Sequence, residues 1–199
     1  MPATIEKACR TNRAFLNERF VYESAFPDKP ELVEIRRPRT LVLRRIDGIP
    51  YLDAVDISDL MIKKLAQAIA KLHSITHLDE KVLCHWDNQP RNILWDEKKQ
   101  KITLLDFEDI RLAPPEADIA HLFLFWAEVM TSDDFSRRVE LFFRNYKSTI
   151  PLNADRWKNE LRKAINRFDK RRKKYSKLEK FVNQSKMQNR KLLYEVNFP

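Results

Sequence analysis

Glycine is almost missing from this chain. Of 199 residues only Gly48 is a glycine, where average usage predicts roughly fourteen. A phosphate-cradling loop built from several glycines is therefore excluded within this chain, because it needs backbone that can approach the ligand closely. Cysteine is nearly as scarce. Cys9 and Cys84 are the only two, too few for a disulfide framework or a zinc cluster, and each reads as a small buried apolar residue. Long apolar runs are missing as well. The best candidate, Ala117 to Met130, is too short to span a bilayer and is interrupted by His121 and Glu128. Charges at Glu6, Lys7 and Arg10 stand where a secretory signal would place its apolar stretch. The expectation is a cytoplasmic chain without a membrane span.

What is present is charge, unevenly placed. Hydrophobic residues make up 43% and charged residues 34% of the chain, the profile of a globular protein with a heavily charged surface. From Asp155 to Pro199 there are 15 lysines and arginines against 5 acids, a net of +10, while the whole chain is +9. Residues 1–154 therefore sum to −1. The basicity belongs to the C-terminal stretch. The run Lys170-Arg171-Arg172-Lys173-Lys174 reads first as a solvated helix face. Attraction to a polyanion is the alternative, with Tyr175 and Phe181 as stacking residues.

Thr4, Ile5, Ala8, Phe15 and Leu16 suggest a helix up to about Arg19 capped by Thr4. Leu32–Ile35 and Thr40–Leu43 read as strands, and Asp47-Gly48-Ile49-Pro50 as a turn marking the main boundary. A long helix starts at Ile57-Ser58-Asp59, with Leu60, Met61, Leu65, Ala68, Ile69 and Leu72 on one apolar face. Val82–Cys84, Asn92–Trp95 and Ile102–Leu105 follow as short strands, the last two joined by the polar turn Asp96–Lys99. From Ala117 onward the pattern is helical, broken near Thr131 and Pro151. Trp157, Leu161, Ala164, Ile165 and Phe168 make a docking face, and Trp126 sits at a core position. His73, His77 and His121 lack metal-ligand spacing and read as core or surface residues.

The informative segment runs from Leu83 to Leu94. It reads His-x-Asp (His85, Asp87), four residues, then Asn92 leading into a strand, with Asp106 fourteen positions later in Leu105-Asp106-Phe107-Glu108. Phosphoryl transfer needs a carboxylate to take the acceptor proton and hard oxygen ligands for magnesium. Four such positions at fixed spacing would arise by chance in roughly one chain per thousand of this length.

With those residues the segment resembles the catalytic core of the aminoglycoside phosphotransferase and choline kinase family, within the protein-kinase-like fold. That family carries His-Gly-Asp-x-x-x-x-Asn, a short hairpin, Asp-Phe-Glu or a close variant, and then an Asp opening a helix. Asp118 in Pro115-Glu116-Ala117-Asp118 matches the last. Leu41–Gly48 resembles the hinge strand, and Ala70–His73 the end of the helix ahead of the catalytic loop. The resemblance spans about Arg39 to Phe143. It implies Asp87 as catalytic base, Asn92 and Asp106 as magnesium ligands, Asp118 as a brace of the loop, and His85 as a positioning residue. Glu108 and Asp109 either shape the acceptor or metal site or are structural. The implied cofactors are Mg2+ and ATP or another nucleoside triphosphate, and the implied substrate is a hydroxyl compound, small in most of the family.

The chain departs from the pattern twice. Trp86 stands where the family has glycine, and only about forty residues precede the hinge. No strand is expected to carry the family's phosphate-binding lysine with its partner glutamate. Glu6 and Glu18 are candidates for relics of that helix glutamate but are read as solvated, and the nucleotide-binding residues stay unassigned. The expected fold is α+β and kinase-like. A reduced N-terminal lobe and hinge covers residues 1–48, and a mostly helical lobe covers 49–199, with basic helices from about 155. The expected function is magnesium-dependent transfer of a nucleotide γ-phosphate to a hydroxyl. A dimer or partner protein would complete the nucleotide site. The contrasting reading is a pseudokinase or a module that binds nucleotide, RNA or another anionic partner without turnover.

Overall fold

The computed structural model describes residues 3–25, 31–147, 150–175 and 184–196, with the side chains of 25, 172–175 and 184–185 left aside. The chain opens on a strand. β1 (Thr4–Ala8) precedes α1 (Asn12–Phe20). β2 (Leu32–Arg36) and β3 (Thr40–Arg44) then complete an antiparallel sheet in the order β1-β3-β2. The single helix expected up to Arg19 is thus a strand followed by a helix. Two causes override the local pattern. β1 pairs with β3 from Thr4↔Arg44 to Ala8↔Thr40, and Thr11, not Thr4, caps the helix by accepting from the Ala14 amide at 3.1 Å.

Gly48 marks the passage into the second part of the molecule. Its φ of +144° suits glycine, and a Cβ there would lie 3.0 Å from the Trp95 carbonyl oxygen. The next residues, β4 (Ile49–Pro50), pair with β7 (Ile93–Asp96), which forms a hairpin with β8 (Lys101–Leu104). The segment after Gly48 is thereby fixed to the hairpin that follows the His-x-Asp loop. The turn residue Asp96 accepts from the Lys99 amide at 3.1 Å, an arrangement that Asp favours in turns. A third small sheet joins β5 (His77–Leu78), β6 (Lys81–Cys84) and β9 (Arg111–Ala113). β9 has too little periodicity to be seen in sequence.

Four helices supply the main core. α2 (Asp59–His73) is capped by Ser58 and buries Met61, Ile62, Leu65, Ala66, Ile69 and Leu72. α3 (Pro115–Val129) is apolar nearly all round and lies at the centre. α4 (Ser132–Asn145) packs on α2, and α5 (Ala154–Tyr175) runs along α3. Trp126 and Trp157 are both buried, and each satisfies its indole N–H at 2.7 Å, on the Tyr51 hydroxyl and the Leu193 carbonyl oxygen. Trp157, Leu161, Ala164 and Phe168 are buried and Ile165 packs at their margin, so the expected docking face docks within the chain. α6 (Gln184–Leu192) closes over α3 and α4. Both cysteines are buried and free. Among the described residues no helix is long and apolar enough to cross a membrane. Phe181 lies outside the described residues, as do the side chains of Arg172, Lys173, Lys174 and Tyr175.

Candidate active site

The loop between β6 and β7 is built around one buried carboxylate. Asp118, in the first turn of α3, accepts from the His85 amide on Oδ2 and the Trp86 amide on Oδ1, both at 2.9 Å. Oδ2 also accepts from His73 Nε2 at 3.0 Å, and the Asn88 amide group reaches Oδ1 at 3.2 Å. Burial alone would raise the Asp118 pKa. The His73 hydrogen bond and charge, with the amide donors, outweigh it and hold the carboxyl below its ordinary value. Asp118 is therefore a carboxylate that fixes backbone. Asn88 and His121 extend the brace, with His121 Nδ1 donating to Asn88 Oδ1 at 2.7 Å.

His85 faces the other way. Its Nε2 donates to the Leu105 carbonyl oxygen at 2.9 Å, and its ring packs on Phe107 at 5.2 Å. Burial lowers its pKa, consistent with a neutral ring that donates from Nε2 and leaves Nδ1 without a partner among the described residues. Trp86 holds a φ of +67° and Asp106 one of +64°, costly for residues with a Cβ. The Asp118 acceptors hold the first of these. The second sits at the end of the hairpin, where Leu105 N donates to Asn92 O at 2.8 Å.

Asp87 and Asn92 meet at that end, and Asp106 directly follows Leu105 there. Asn92 Nδ2 donates to the Asp87 carbonyl oxygen at 2.8 Å and to its carboxylate at 3.2 Å. Gln89 donates to the same Oδ2 at 2.7 Å, while Arg171 on α5 lies 3.6 Å from Oδ1. The amide of Asn92 is committed to Asp87, which leaves Asn92 Oδ1 as an acceptor directed elsewhere.

The largest correction to the sequence reading lies opposite this loop. Lys7 on β1 is paired with Glu18 on α1, and its Nζ also donates to Asp106 Oδ1 at 2.7 Å. Glu108 Oε1 stands 3.7 Å from the same nitrogen. A strand lysine and its helix glutamate are present after all. Glu18 is fully buried, not solvated, and only Glu6 stays exposed, paired with Arg36. Burial pulls the Lys7 pKa down, but Glu18 and Asp106 pull it up further and the net shift is upward. The same burial raises Glu18 against the pull of Lys7. The residue next to Glu18 on α1 fixes the same spot, since Asn17 Nδ2 donates to the Glu108 carbonyl oxygen at 2.7 Å. Tyr22 adds an edge contact to Phe107 at 5.6 Å.

One lysine thus stands among three carboxylates. That excess of negative charge, together with Asn92 Oδ1 and the second Asp106 oxygen, fits a hard divalent cation. The buried trio His73, Cys84 and Asp118 has metal-like spacing, but its atoms are engaged by Tyr146, Ala113, Pro114 and the loop amides. It fits a structural hub instead. Among the sequence-derived candidates, Lys170 and Arg171 border a cleft beside Asp87. Sequence reasoning missed Lys7, Asn17, Asn88 and Gln89, and weighed Glu18 as the helix glutamate only to read it as solvated. The available signal was Thr11-Asn12-Arg13 as a capping sequence, which would have started the helix late and freed Thr4–Ala8 to be a strand.

Residues 76–151 match the phosphotransferase enzyme family. An aminoglycoside phosphotransferase from Streptomyces rimosus, solved with ADP and streptomycin, is 18% identical with a TM-score of 0.58, over 80% of this chain and 85% of that one. A choline kinase from Streptococcus pneumoniae is 13% identical with a TM-score of 0.53, over 96% and 84%. A spectinomycin phosphotransferase solved with ADP and spectinomycin is 12% identical with a TM-score of 0.56, over 98% and 82%. At these identities the likeness establishes the fold, which is the kinase-like α+β fold. No curated protein matches by sequence.

Proposed function

We propose that this chain transfers the γ-phosphate of a magnesium-bound nucleoside triphosphate to a hydroxyl group, with Asp87 as base. The observation that carries this reading is the Lys7–Glu18 pair reaching Asp106 across from the Asp87–Asn92 loop. Two independent stretches of chain converge there, each with the groups phosphoryl transfer requires. The family match of residues 76–151 and the ADP-bound solved relatives support it.

Asn92 Oδ1 and the Asp106 carboxylate are the residues suited to hold magnesium, which supplies charge neutralisation at the phosphates when bound. Lys7 is kept charged by Glu18 and aimed at the same place, so it can pair with phosphate oxygens in exchange for its bond to Asp106. Asp87 accepts the hydroxyl proton as the acceptor oxygen bonds to the γ-phosphorus. The bond from that phosphorus to the β–γ bridging oxygen breaks, and the nucleoside diphosphate leaves. Gln89 and Asn92 hold the Asp87 carboxylate in orientation, and Asp118 with Asn88 and His121 holds the loop beneath it.

Isothermal titration with magnesium and a non-hydrolysable ATP analogue tests the donor half. We expect saturable binding that needs the metal and weakens in Lys7→Met. Metal-independent binding, or binding indifferent to Lys7, would sink the assignment.

A further inference from the structure

A cleft of about 790 Å³ opens beside Asp87, within the roughly 300–1,000 Å³ typical of small-molecule sites. Phe125 and Phe168 give it an apolar wall, in ring contact with each other at 5.0 Å. Its charged lining is Arg10, Arg91, Lys170 and Arg171 against Asp87 and Asp109. Of the four cations only Arg171 is in an ion pair among the described residues, and its partner is Asp87.

The positive charge continues behind the cleft. Arg111 and Arg167 both lie over the Trp86 ring, at 4.2 and 4.6 Å, and neither has a carboxylate partner among the described residues. Burial lowers the pKa of both, and each is also pressed by like charges, Arg111 by Arg13 and Arg171, Arg167 by Arg111 and Arg171. Glu160 and Asp109 oppose this only in part. Cations crowded with so few counter-charges are held against their own repulsion by the fold, and a bound anion relieves that repulsion.

Resting on the phosphotransfer reading above, we propose that the acceptor is itself an anion. It is a small hydroxyl compound bearing a phosphate or carboxylate, bound with that group against Arg91, Lys170 and Arg171 and its hydroxyl at Asp87. Arg171 is the pivot. Its 3.6 Å approach to Asp87 Oδ1 is the contact an acceptor anion displaces. Because the arginine is 55% exposed, the lost pair is a weak one. Phe125 and Phe168 offer a face to the carbon skeleton. The transfer itself is unchanged: the hydroxyl proton passes to Asp87, the new oxygen–phosphorus bond forms, and the nucleoside diphosphate departs.

The test measures ADP release and calorimetric binding for three acceptor sets at matched concentration. Glucose 6-phosphate and glycerol 3-phosphate form the first, gluconate and glucuronate the second, and glucose, glycerol, choline and streptomycin the third. We expect at least one anionic set to bind and turn over with kcat/KM ten-fold or more above the third set. The advantage should shrink with added salt, and its acceptor KM should rise ten-fold or more in Arg91→Gln/Arg171→Gln. The exposed Arg144→Gln on α4 serves as the control and should leave that KM in place. Neutral or cationic acceptors that serve equally well would overturn the proposal and leave the phosphotransfer reading standing. Failure of both anionic sets to bind also overturns it. Anion binding that needs Arg91 and Arg171 without ADP release with any set would instead remove the phosphotransfer reading and leave an anion site. The two anionic arms separate phosphate from carboxylate recognition.

Discussion

The two sides of Asp87 carry opposite charge. On the hairpin side, Lys7 is outnumbered by Glu18, Asp106 and Glu108. On the α5 side, Arg10, Arg91, Lys170 and Arg171 outnumber Asp87 and Asp109. A surface that merely needed solubility would intersperse the signs. Separation across one catalytic-type loop suits two ligands of different chemistry, a metal-bound nucleotide on one side and an anionic acceptor on the other. The lesson is that the lysine and arginine excess of the C-terminal stretch is not one feature. Part of it is folded into the cleft wall, and part lies in residues whose side chains are outside the described set.

The sharpest way to break the comparison is to neutralise the residue both sides share. Asp87→Asn should lower kcat by about 10²–10⁴-fold with nucleotide affinity little changed, as read from ADP release against titration of the ATP analogue. A loss below ten-fold would deprive Asp87 of the role of base.

The next effect concerns His121, which lines the basic cleft yet is kept neutral. Burial lowers its pKa from 6.5 to about 4, against the pull of Asp118 and Asp87. Between those values the unfolded chain takes up a proton that the folded chain refuses. Stability is therefore full above about pH 6.5 and falls as pH drops toward 4, by about 3 kcal/mol at most. Chemical denaturation at a series of pH values should show this slope, and His121→Gln should flatten it.

The acidic side can be dissected by a double-mutant cycle. Lys7→Met and Glu18→Gln should each weaken magnesium–nucleotide binding by about 10- to 100-fold, the worth of one charge-assisted contact. Together they should cost far less than the product, because Glu18 acts through Lys7. Additive effects would show that Glu18 has a separate task. The smallest expected change is Trp86→Gly. It relieves a left-handed backbone worth about 1–2 kcal/mol and removes two cation–π contacts worth about 0.5–1 kcal/mol each. Thermal stability should shift by less than about 1 kcal/mol, while acceptor KM rises as Arg111 and Arg167 lose their platform.

The loop from His85 to Asn92, the hairpin and the long helices were legible because their signals are local. Ser58 caps α2 where its sequence says it should, the Asp96 turn closes β7 onto β8, and the apolar faces of α2 and α5 point inward. Of the first twenty residues only α1 was legible, and the strand before it was not. Thr4–Ala8 is a five-residue strand whose identity rests on pairing with β3 some forty positions away, and no local pattern encodes a partner at that distance. Lys7 and Glu18 followed the same error, since a helix spanning both would have kept them apart.

By itself the sequence determined the chemistry available: one glycine, so no glycine-rich phosphate loop in this chain, and Asp87, Asn92 and Asp106 at spacings a loop and hairpin bring together. Side-chain type and short-range spacing are enough for that. Tertiary structure alone decided which charges face each other. It buried Glu18 against Lys7, set Asp118 beneath the loop amides and laid Arg171 beside Asp87. Each of these contacts joins segments 11 to 84 residues apart. Their energies depend on burial and distance, which only the packed chain defines.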